Sequence, residues 1–201
     1  MSVGEINSGN AALYFVDRHV TQSYADKAAY IEGDGSKRSL SYRKLAEESA
    51  KMSVLYQRHN IRNEDRVAML MLDQIEFPVV FWGSLKAGVV PVAINTLLST
   101  EVYSSILNDS RARVLFISAA LLPMVEALLP DHPSIETVFV SGEHSSSYLS
   151  LQSELAEVSQ NDVPDPVDVS GDECAFWLYS SGSTGQPKGV RHVHSLSLIH
   201  I

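Results

Sequence analysis

The chain holds 201 residues, of which 45% are hydrophobic, 19% charged and 8% aromatic. This is the composition of a globular protein, and it excludes a disordered chain, collagen and a coiled coil. The 15 Lys and Arg residues against 24 Asp and Glu residues give a formal net charge of −9, which argues against nucleic acid or an anionic membrane surface as the main partner. A small anionic ligand remains compatible with this charge, because a few backbone amides and one lysine can outweigh the average locally.

Two further features of the sequence indicate the cellular compartment of the protein. Cys174 is the only cysteine in the sequence, so a disulfide framework and a cysteine-rich zinc site are excluded, and a reducing compartment fits. Residues 1–10 lack the basic and apolar regions of a secretory signal, and the most apolar stretch, residues 77–98, is interrupted by charged and turn-forming residues. We therefore expect a cytoplasmic protein that does not span a membrane.

The first sixty residues predict a helix, a hairpin and a second helix. Residues 10–20 have the spacing of a short amphipathic helix. Residues 28–40 predict a small hairpin, because two short segments flank a Gly-Asp-Gly turn. Ser41 is expected to cap a long helix that runs to about residue 59.

From residue 66 onwards, short apolar segments alternate with single helices. The predicted strands are residues 66–72, 89–94, 114–118, 137–140 and 175–179. The predicted helices are residues 77–87, 100–108, 121–129 and 149–158, and residues 161–173 form a solvated acidic connector. Apolar strands separated by single helices indicate an α/β fold with a largely parallel sheet flanked by helices on both faces.

The strongest functional signal begins where the strand at 175–179 ends. The ten residues 180–189, Ser-Ser-Gly-Ser-Thr-Gly-Gln-Pro-Lys-Gly, offer four hydroxyls, three glycines and one lysine, and they contain no acid. Polyphosphate needs such a set, because glycines let backbone N–H groups approach closely, hydroxyls add neutral donors and lysine adds a compact charge. A flexible Gly/Ser linker is disfavoured by the apolar strand before the segment and by its Pro-Lys-Gly ending. ATP is the expected ligand.

The spacing within this segment excludes two common alternatives. A Walker A motif starting at Gly182 would need a glycine at Pro187 and a Ser or Thr at Gly189. The Gly-x-Ser-x-Gly turn of serine hydrolases is absent as well, because Thr184 follows two residues after Gly182. A P-loop kinase and an esterase therefore lose their main support.

The segment resembles the phosphate-loop signature of the adenylate-forming enzymes, which include acyl-CoA synthetases, firefly luciferase and peptide-synthetase adenylation domains. Residues 179–189 are similar to that signature without a gap, and residues 85–91, Leu-Lys-Ala-Gly-Val-Val-Pro, resemble the motif that precedes it. The resemblance to benzoate-CoA ligases is closer still and covers residues 10–195. It includes short segments at residues 95–98 and 109–112.

The resemblance implies which residues bind phosphate. Transferred position by position, the phosphate-binding residues are Ser180, Ser181, Gly182, Ser183, Thr184 and Lys188, with Gly185 and Gly189 shaping the turn. His194 stands where such enzymes have a histidine after the loop, and Val193 replaces a frequent threonine before it, so the role of His194 stays open. His192 and His194 could suggest a metal pair on one face of a strand, but no third ligand accompanies them, and packing is the preferred interpretation.

The resemblance also implies how the chain divides. Residues 1–195 correspond to the N-terminal part of the large AMP-binding domain, and the family's later motifs and its small C-terminal domain do not occur in the sequence. The adenylation lysine of the family is among the missing parts, so no catalytic residue is assigned and the fragment alone is expected to be inactive. Residues 196–201 resemble a translated sequencing-library adapter and are expected to be foreign to the fold.

The implied function is that of an ATP-dependent aryl-carboxylate CoA ligase. The resemblance implies ATP and Mg²⁺ as cofactors, CoA as a co-substrate and a small, aromatic carboxylic acid as the partner. Two alternatives remain open: another adenylate-forming enzyme that acts on a fatty acid or an amino acid, and a non-catalytic nucleotide-binding fragment. The residues that would distinguish acids from one another lie downstream of this sequence in the family.

Overall fold

The structure, a computed structural model, describes residues 9–21, 23–181 and 187–199. The strands are β1 (Ala28–Ile31), β2 (Ser39–Ser41), β3 (Arg66–Leu70), β4 (Val90–Ala93), β5 (Val114–Ser118), β6 (Thr137–Ser141), β7 (Leu149–Ser150), β8 (Cys174–Ser181) and β9 (Pro187–Val193). The α-helices are α1 (Arg18–Thr21), α2 (Tyr42–Arg58), α3 (Glu76–Lys86), α4 (Thr100–Ser110), α5 (Leu122–Val125), α6 (Leu151–Ala156) and α7 (His194–Ile199). None of the helices in the described ranges combines the length and the apolar composition that crossing a lipid bilayer requires.

Seven of the strands form one sheet in the order β7-β6-β5-β3-β4-β8-β9. Every neighbouring pair is parallel except β8 and β9, which pair antiparallel at one edge. Strands β1 and β2 form a separate antiparallel hairpin. The predicted α/β class with a largely parallel sheet is therefore confirmed, and so is the hairpin before α2.

Helices cover both faces of the sheet, as the apolar strands predict. Alternate residues of β3 serve opposite faces: Val67 and Met69 pack in one core with α2, α3 and α6, and Ala68 and Leu70 pack in the other with α4 and α5. The long helix α2 begins as predicted, because the Ser41 hydroxyl accepts a hydrogen bond from the backbone N–H of Lys44 at 3.2 Å. Three layers result, with the sheet in the middle.

Three predicted helices differ from the structure in detail. The predicted helix at 10–20 is present over residues 11–21, but its middle, Leu13–Asp17, is a π-helical turn that leads into α1. The predicted helix at 121–129 is only one α-helical turn, α5, between two 3₁₀ turns at Ala119–Leu121 and Glu126–Asp131. Pro130 in the second 3₁₀ turn has no backbone N–H for a continuing α-helix. The predicted helix at 149–158 starts two residues late, since Leu149–Ser150 pairs with β6 as β7 and Ser150 caps α6.

Lys86, in the first of the two motifs, is buried and structural. Its side chain is only 2% exposed, and its Nζ donates to Asp17 Oδ1 at 2.9 Å and to the carbonyl of Ala46 at 3.1 Å. Burial lowers the pKa of Lys86, and the neighbouring Asp17 opposes that shift. The lysine therefore ties the end of α3 to the N-terminal helical segment and to α2.

Replacing Lys86 by alanine should lower the free energy of unfolding by about 2–4 kcal/mol, because it leaves the half-buried Asp17 carboxylate without its cation. Lys44 provides a matched control: it pairs with Glu48 at 2.8 Å, but its side chain is 55% exposed. Lys44→Ala should therefore cost less than about 1 kcal/mol. Urea unfolding of the two variants checks this, and equal losses would contradict a special role for Lys86.

Candidate active site

A crevice lies at the carboxyl ends of the neighbouring strands β3 and β4, where the chain continues to opposite faces of the sheet. Helix α3 follows β3 and packs on one face of the sheet, whereas α4 follows β4 and packs on the other. In open α/β sheets, ligands bind at such a switch point, outside the carboxyl ends of the strands. A cleft of about 510 Å³ is present there. Its lining comes from the segments after β3 and β4 and from the end of β8: Met71, Leu72, Asp73, Phe77, Ala93, Ile94, Asn95, Thr96, Leu97, Leu178 and Tyr179.

The predicted phosphate loop leaves the sheet at the mouth of this crevice. Strand β8 pairs with β4, so its carboxyl end lies at the same edge as the ends of β3 and β4. The chain then returns as β9, antiparallel to β8, with Tyr179 opposite Gly189 and Ser180 opposite Lys188. Side chains on opposite positions of such a pair are close neighbours. The hairpin therefore brings a hydroxyl and a lysine together one position beyond Tyr179, which lines the crevice.

This hairpin corrects the predicted extent of the loop. Lys188 and Gly189 were expected in the loop, but they lie in β9, which begins at Pro187. The sequence Pro-Lys-Gly hides the strand because proline and glycine are depleted in strands and occur mainly at edges and bulges. The outer edge of β9 is such a position, since no further strand follows it in the sheet as described.

The structure locates only part of the predicted phosphate-binding set. Ser180 and the backbone of Ser181 lie at the end of β8, and Lys188 lies on β9 directly opposite Ser180. The Lys188 side chain is exposed, and within the described ranges no carboxylate forms an ion pair with it. The remaining predicted residues fall outside the described ranges: Gly182, Ser183, Thr184 and Gly185. The described part thus supplies one unpaired cation and one hydroxyl.

Sequence reasoning missed a contact beside this pair. The Tyr179 hydroxyl donates a hydrogen bond to Asp109 Oδ2 at 2.5 Å. Burial of Tyr179 raises the pKa of its hydroxyl, and the Asp109 carboxylate raises it further, so the tyrosine stays protonated and acts as the donor. The two residues are 70 positions apart, and no local pattern links them.

The two histidines after the loop have separate structural contacts. His192 lies on β9 and stacks on Phe176, with ring centroids 4.6 Å apart. His194 is buried at the start of α7, and its Nδ1 accepts a hydrogen bond from the backbone N–H of Ala11 at 3.1 Å. The idea of a pair on one strand face is therefore wrong, because β9 ends at Val193. In the described residues, no group of three or more His, Cys, Asp and Glu side chains is placed to hold a metal.

His194 should make stability depend on pH. Burial lowers the pKa of His194 below its ordinary value of 6.5, and the charge of Glu173 opposes this only in part. The unfolded chain therefore takes up a proton near pH 6.5 that the folded protein resists, and the free energy of unfolding falls as the pH drops below about 6.5. His194→Asn keeps an acceptor near Ala11 but cannot titrate in this range. Urea unfolding at about pH 5 and about pH 7.5 should show a flatter pH dependence for this variant, and an unchanged dependence would contradict the assignment.

Taken together, the sheet order and the crevice define an α/β protein of the doubly wound class, in which ligands bind at the switch point. The chain belongs to the family described as AMP-binding enzyme, whose family model matches residues 16–200. The resemblance to adenylate-forming enzymes that residues 179–189 carry is thereby confirmed.

The relatives confirm the resemblance to benzoate-CoA ligases. The 4-hydroxybenzoate–CoA/benzoate–CoA ligase of Rhodopseudomonas palustris is 40% identical over 186 residues, which are 92% of this chain and 34% of the relative. The benzoate–CoA ligase of Thauera aromatica is 40% identical over 192 residues, which are 95% of this chain and 35% of the relative. The crystal structure of the anthranilate CoA ligase AuaEII in complex with anthranoyl-AMP superposes with a TM-score of 0.86 at 30% identity, covering 96% of this chain and 36% of that one. The chain thus spans about a third of the length of these proteins.

Proposed function

We propose that this chain supplies the phosphate-binding part of an ATP-dependent aryl-carboxylate CoA ligase. In the complete enzyme, a carboxylate oxygen attacks the α-phosphate of ATP and gives an acyl-adenylate and pyrophosphate. The CoA thiolate then attacks the acyl carbon, displaces AMP and gives the thioester. The observation that carries this proposal is the unpaired Lys188 opposite Ser180, one position beyond Tyr179, which lines the switch-point crevice, in a chain of the AMP-binding enzyme family.

The residues on the hairpin suit the charge of the leaving group. As pyrophosphate departs, negative charge builds on its oxygens, and donors fixed in advance stabilise that charge without reorganising. Lys188 contributes a compact positive charge that no carboxylate among the described residues neutralises, and Ser180 contributes a neutral donor on the opposite strand. Holding the phosphates from both strands of a hairpin also favours the in-line geometry that displacement at phosphorus needs.

Magnesium and CoA belong to the same proposal. Mg²⁺ supplies further positive charge at the phosphate oxygens during the displacement. We assign Mg²⁺ to the phosphates of the bound nucleotide, and no side chain of this part of the chain is assigned to it. CoA enters only after the adenylate has formed.

The assignment of an aryl acid is supported by the relatives. Two curated ligases at 40% identity carry benzoate in their names, and the superposed crystal structure is of an anthranilate ligase. Within the chain itself, no described residue has been assigned to the acid, so the aryl assignment depends on these similarities.

A chimaera tests whether the chain performs the phosphate-binding role. Residues 1–195 of this chain replace the corresponding N-terminal third of the Rhodopseudomonas palustris ligase, and the parent ligase serves as the control. We expect benzoate-dependent exchange between ATP and pyrophosphate, followed by benzoyl-CoA formation when CoA is added. A folded chimaera that binds ATP without exchange would favour a non-catalytic nucleotide-binding role. A folded chimaera that does not bind ATP would contradict the proposal.

A further inference from the structure

We propose that Asp109 is a positioning residue that, through Tyr179, holds Lys188 and Ser180 in place at the mouth of the crevice. This inference deepens the proposed function and rests on it, because it assigns Asp109 a part in phosphate binding without contact to the phosphates. Three features of the structure carry it: the hydrogen bond to Tyr179, the ring's contact with Gly189 and the unusual place of Asp109 on its helix.

The hydrogen bond joins the hairpin to a rigid part of the fold. Asp109 lies in the last turn of α4, whose buried side chains Tyr103 and Ile106 pack into the core on one face of the sheet. The Tyr179 hydroxyl reaches the Asp109 carboxylate at 2.5 Å, a short contact of the kind that a charged acceptor produces. The hairpin end is thereby attached to α4 as well as to β4.

The position of Asp109 in the last turn of α4 destabilises the helix unless another contact offsets the cost. The C-terminal end of a helix carries partial negative charge, which repels a carboxylate in the last turn. Helix α4 has no basic residue in that turn to offset the repulsion, and among the described residues no ion pair involves Asp109. The hydrogen bond from the Tyr179 hydroxyl offsets this repulsion. The Asp109 carboxylate therefore stabilises the contact with Tyr179 and not the helix itself.

The ring of Tyr179 transmits this restraint to β9. Gly189 lies opposite Tyr179, and a Cβ atom built on it would be 3.1 Å from Cζ and 3.2 Å from the hydroxyl oxygen of the tyrosine. The ring therefore lies directly over the glycine backbone, and a side chain at position 189 would displace it. Lys188 is the next residue on that strand and Ser180 is the next on the other, so a shift of the ring shifts both.

The test measures nucleotide affinity separately from stability. In the chimaera, Asp109→Ala and Tyr179→Phe should each raise the KM for ATP in pyrophosphate exchange by about tenfold, because Lys188 is no longer held in position. The double variant should be no worse than either single one, since both remove the same contact. Gly189→Ala should have the same effect by displacing the ring. Asp109→Asn keeps an acceptor for the tyrosine hydroxyl and should restore the KM to within about twofold.

Tyr56→Phe is the matched control. It also removes one tyrosine hydroxyl, which hydrogen-bonds Ser84 at 2.6 Å between α2 and α3, away from the crevice. This variant should lower thermal stability and leave the KM for ATP unchanged. A KM that stays at the wild-type value in Asp109→Ala, or that rises equally in Tyr56→Phe, would overturn the positioning role.

A second readout separates this inference from the proposed function. If the unaltered chimaera folds but shows no ATP–pyrophosphate exchange, the proposed function fails. The positioning role of Asp109 is then decided by backbone amide hydrogen exchange at residues 188–190 of the 201-residue chain. Asp109→Ala and Tyr179→Phe should speed that exchange about tenfold, and Tyr56→Phe should not. Unchanged exchange at those residues would overturn the inference.

Discussion

Replacing Lys188 by alanine should slow benzoate-dependent ATP–pyrophosphate exchange in the chimaera by one to three orders of magnitude, or about 1.4–4 kcal/mol. The reason is that Lys188 is the only cation assigned to the phosphates in the described part of the chain, and it lies unpaired opposite Ser180. Its removal leaves several phosphate charges facing neutral donors. Initial rates at saturating and at limiting ATP measure the effect.

Two variants sharpen this result. Lys188→Arg keeps the charge but spreads it over a planar group, so it should recover only part of the rate. Arg191→Ala removes a cation from the same strand, three positions further along, and should leave the rate close to wild type. An unchanged exchange rate in the Lys188→Ala chimaera would overturn the assignment of Lys188. An equal loss of rate in Lys188→Ala and Arg191→Ala would mean that the positive charge of the strand matters and the position of Lys188 does not.

The complete gene product that carries this chain should prefer flat aromatic acids to both long-chain and amino acids. An apolar slot for benzoate would bury the ammonium group of phenylalanine without a partner, at a cost of several kcal/mol, and would exclude octanoate by its length. We expect kcat/KM for benzoate or a hydroxybenzoate to exceed that for phenylalanine by at least about 100-fold. Release of AMP in the presence of ATP, Mg²⁺ and CoA provides the measurement, with cinnamate as an intermediate case.

The outcome of that comparison separates two levels of the proposal. If octanoate or phenylalanine is used better than every aryl acid, the aryl assignment fails and an adenylate-forming ligase of another substrate class remains. If none of the acids gives AMP and a thioester, both levels fail. The chimaera does not replace this test, because the larger part of its sequence comes from the Rhodopseudomonas palustris ligase.

The core of the fold was predictable from the sequence because each of its signals is local. The apolar run at 66–72 contains β3, Ser41 caps α2 as its position indicates, and Gly88 follows α3 with a φ of +68° that favours glycine. These features depend on residues a few positions apart. The alternation of strands and helices then predicts the parallel sheet without further information.

For the candidate site, the sequence predicts which residue types are present but not how they are arranged. The arrangement depends on contacts between residues that are far apart in the sequence. Nothing in the sequence indicates that Lys188 lies opposite Ser180 in a hairpin, since Pro187 and Gly189 disguise the returning strand. The contact between Asp109 and Tyr179 joins the end of a helix to a strand 70 residues later. Lys86 was read as part of a motif, and only the structure shows that its charge is buried against Asp17.

The place of β8 beside β4 has a consequence for the order of folding. Val92 of β4 pairs with Trp177, so closing this part of the sheet must enclose α4, β5, α5, β6, β7, α6 and the acidic connector in one loop. Closing so long a loop is entropically costly and slow compared with the nearer pairing of β3 with β4. During synthesis, the ribosome also delivers β8 and β9 after the other strands described for this chain. Among the described strands of this part of the fold, the pair that carries Lys188 should thus be the last to form, and nucleotide binding should appear in refolding only after most of the helical signal of residues 9–156 has formed.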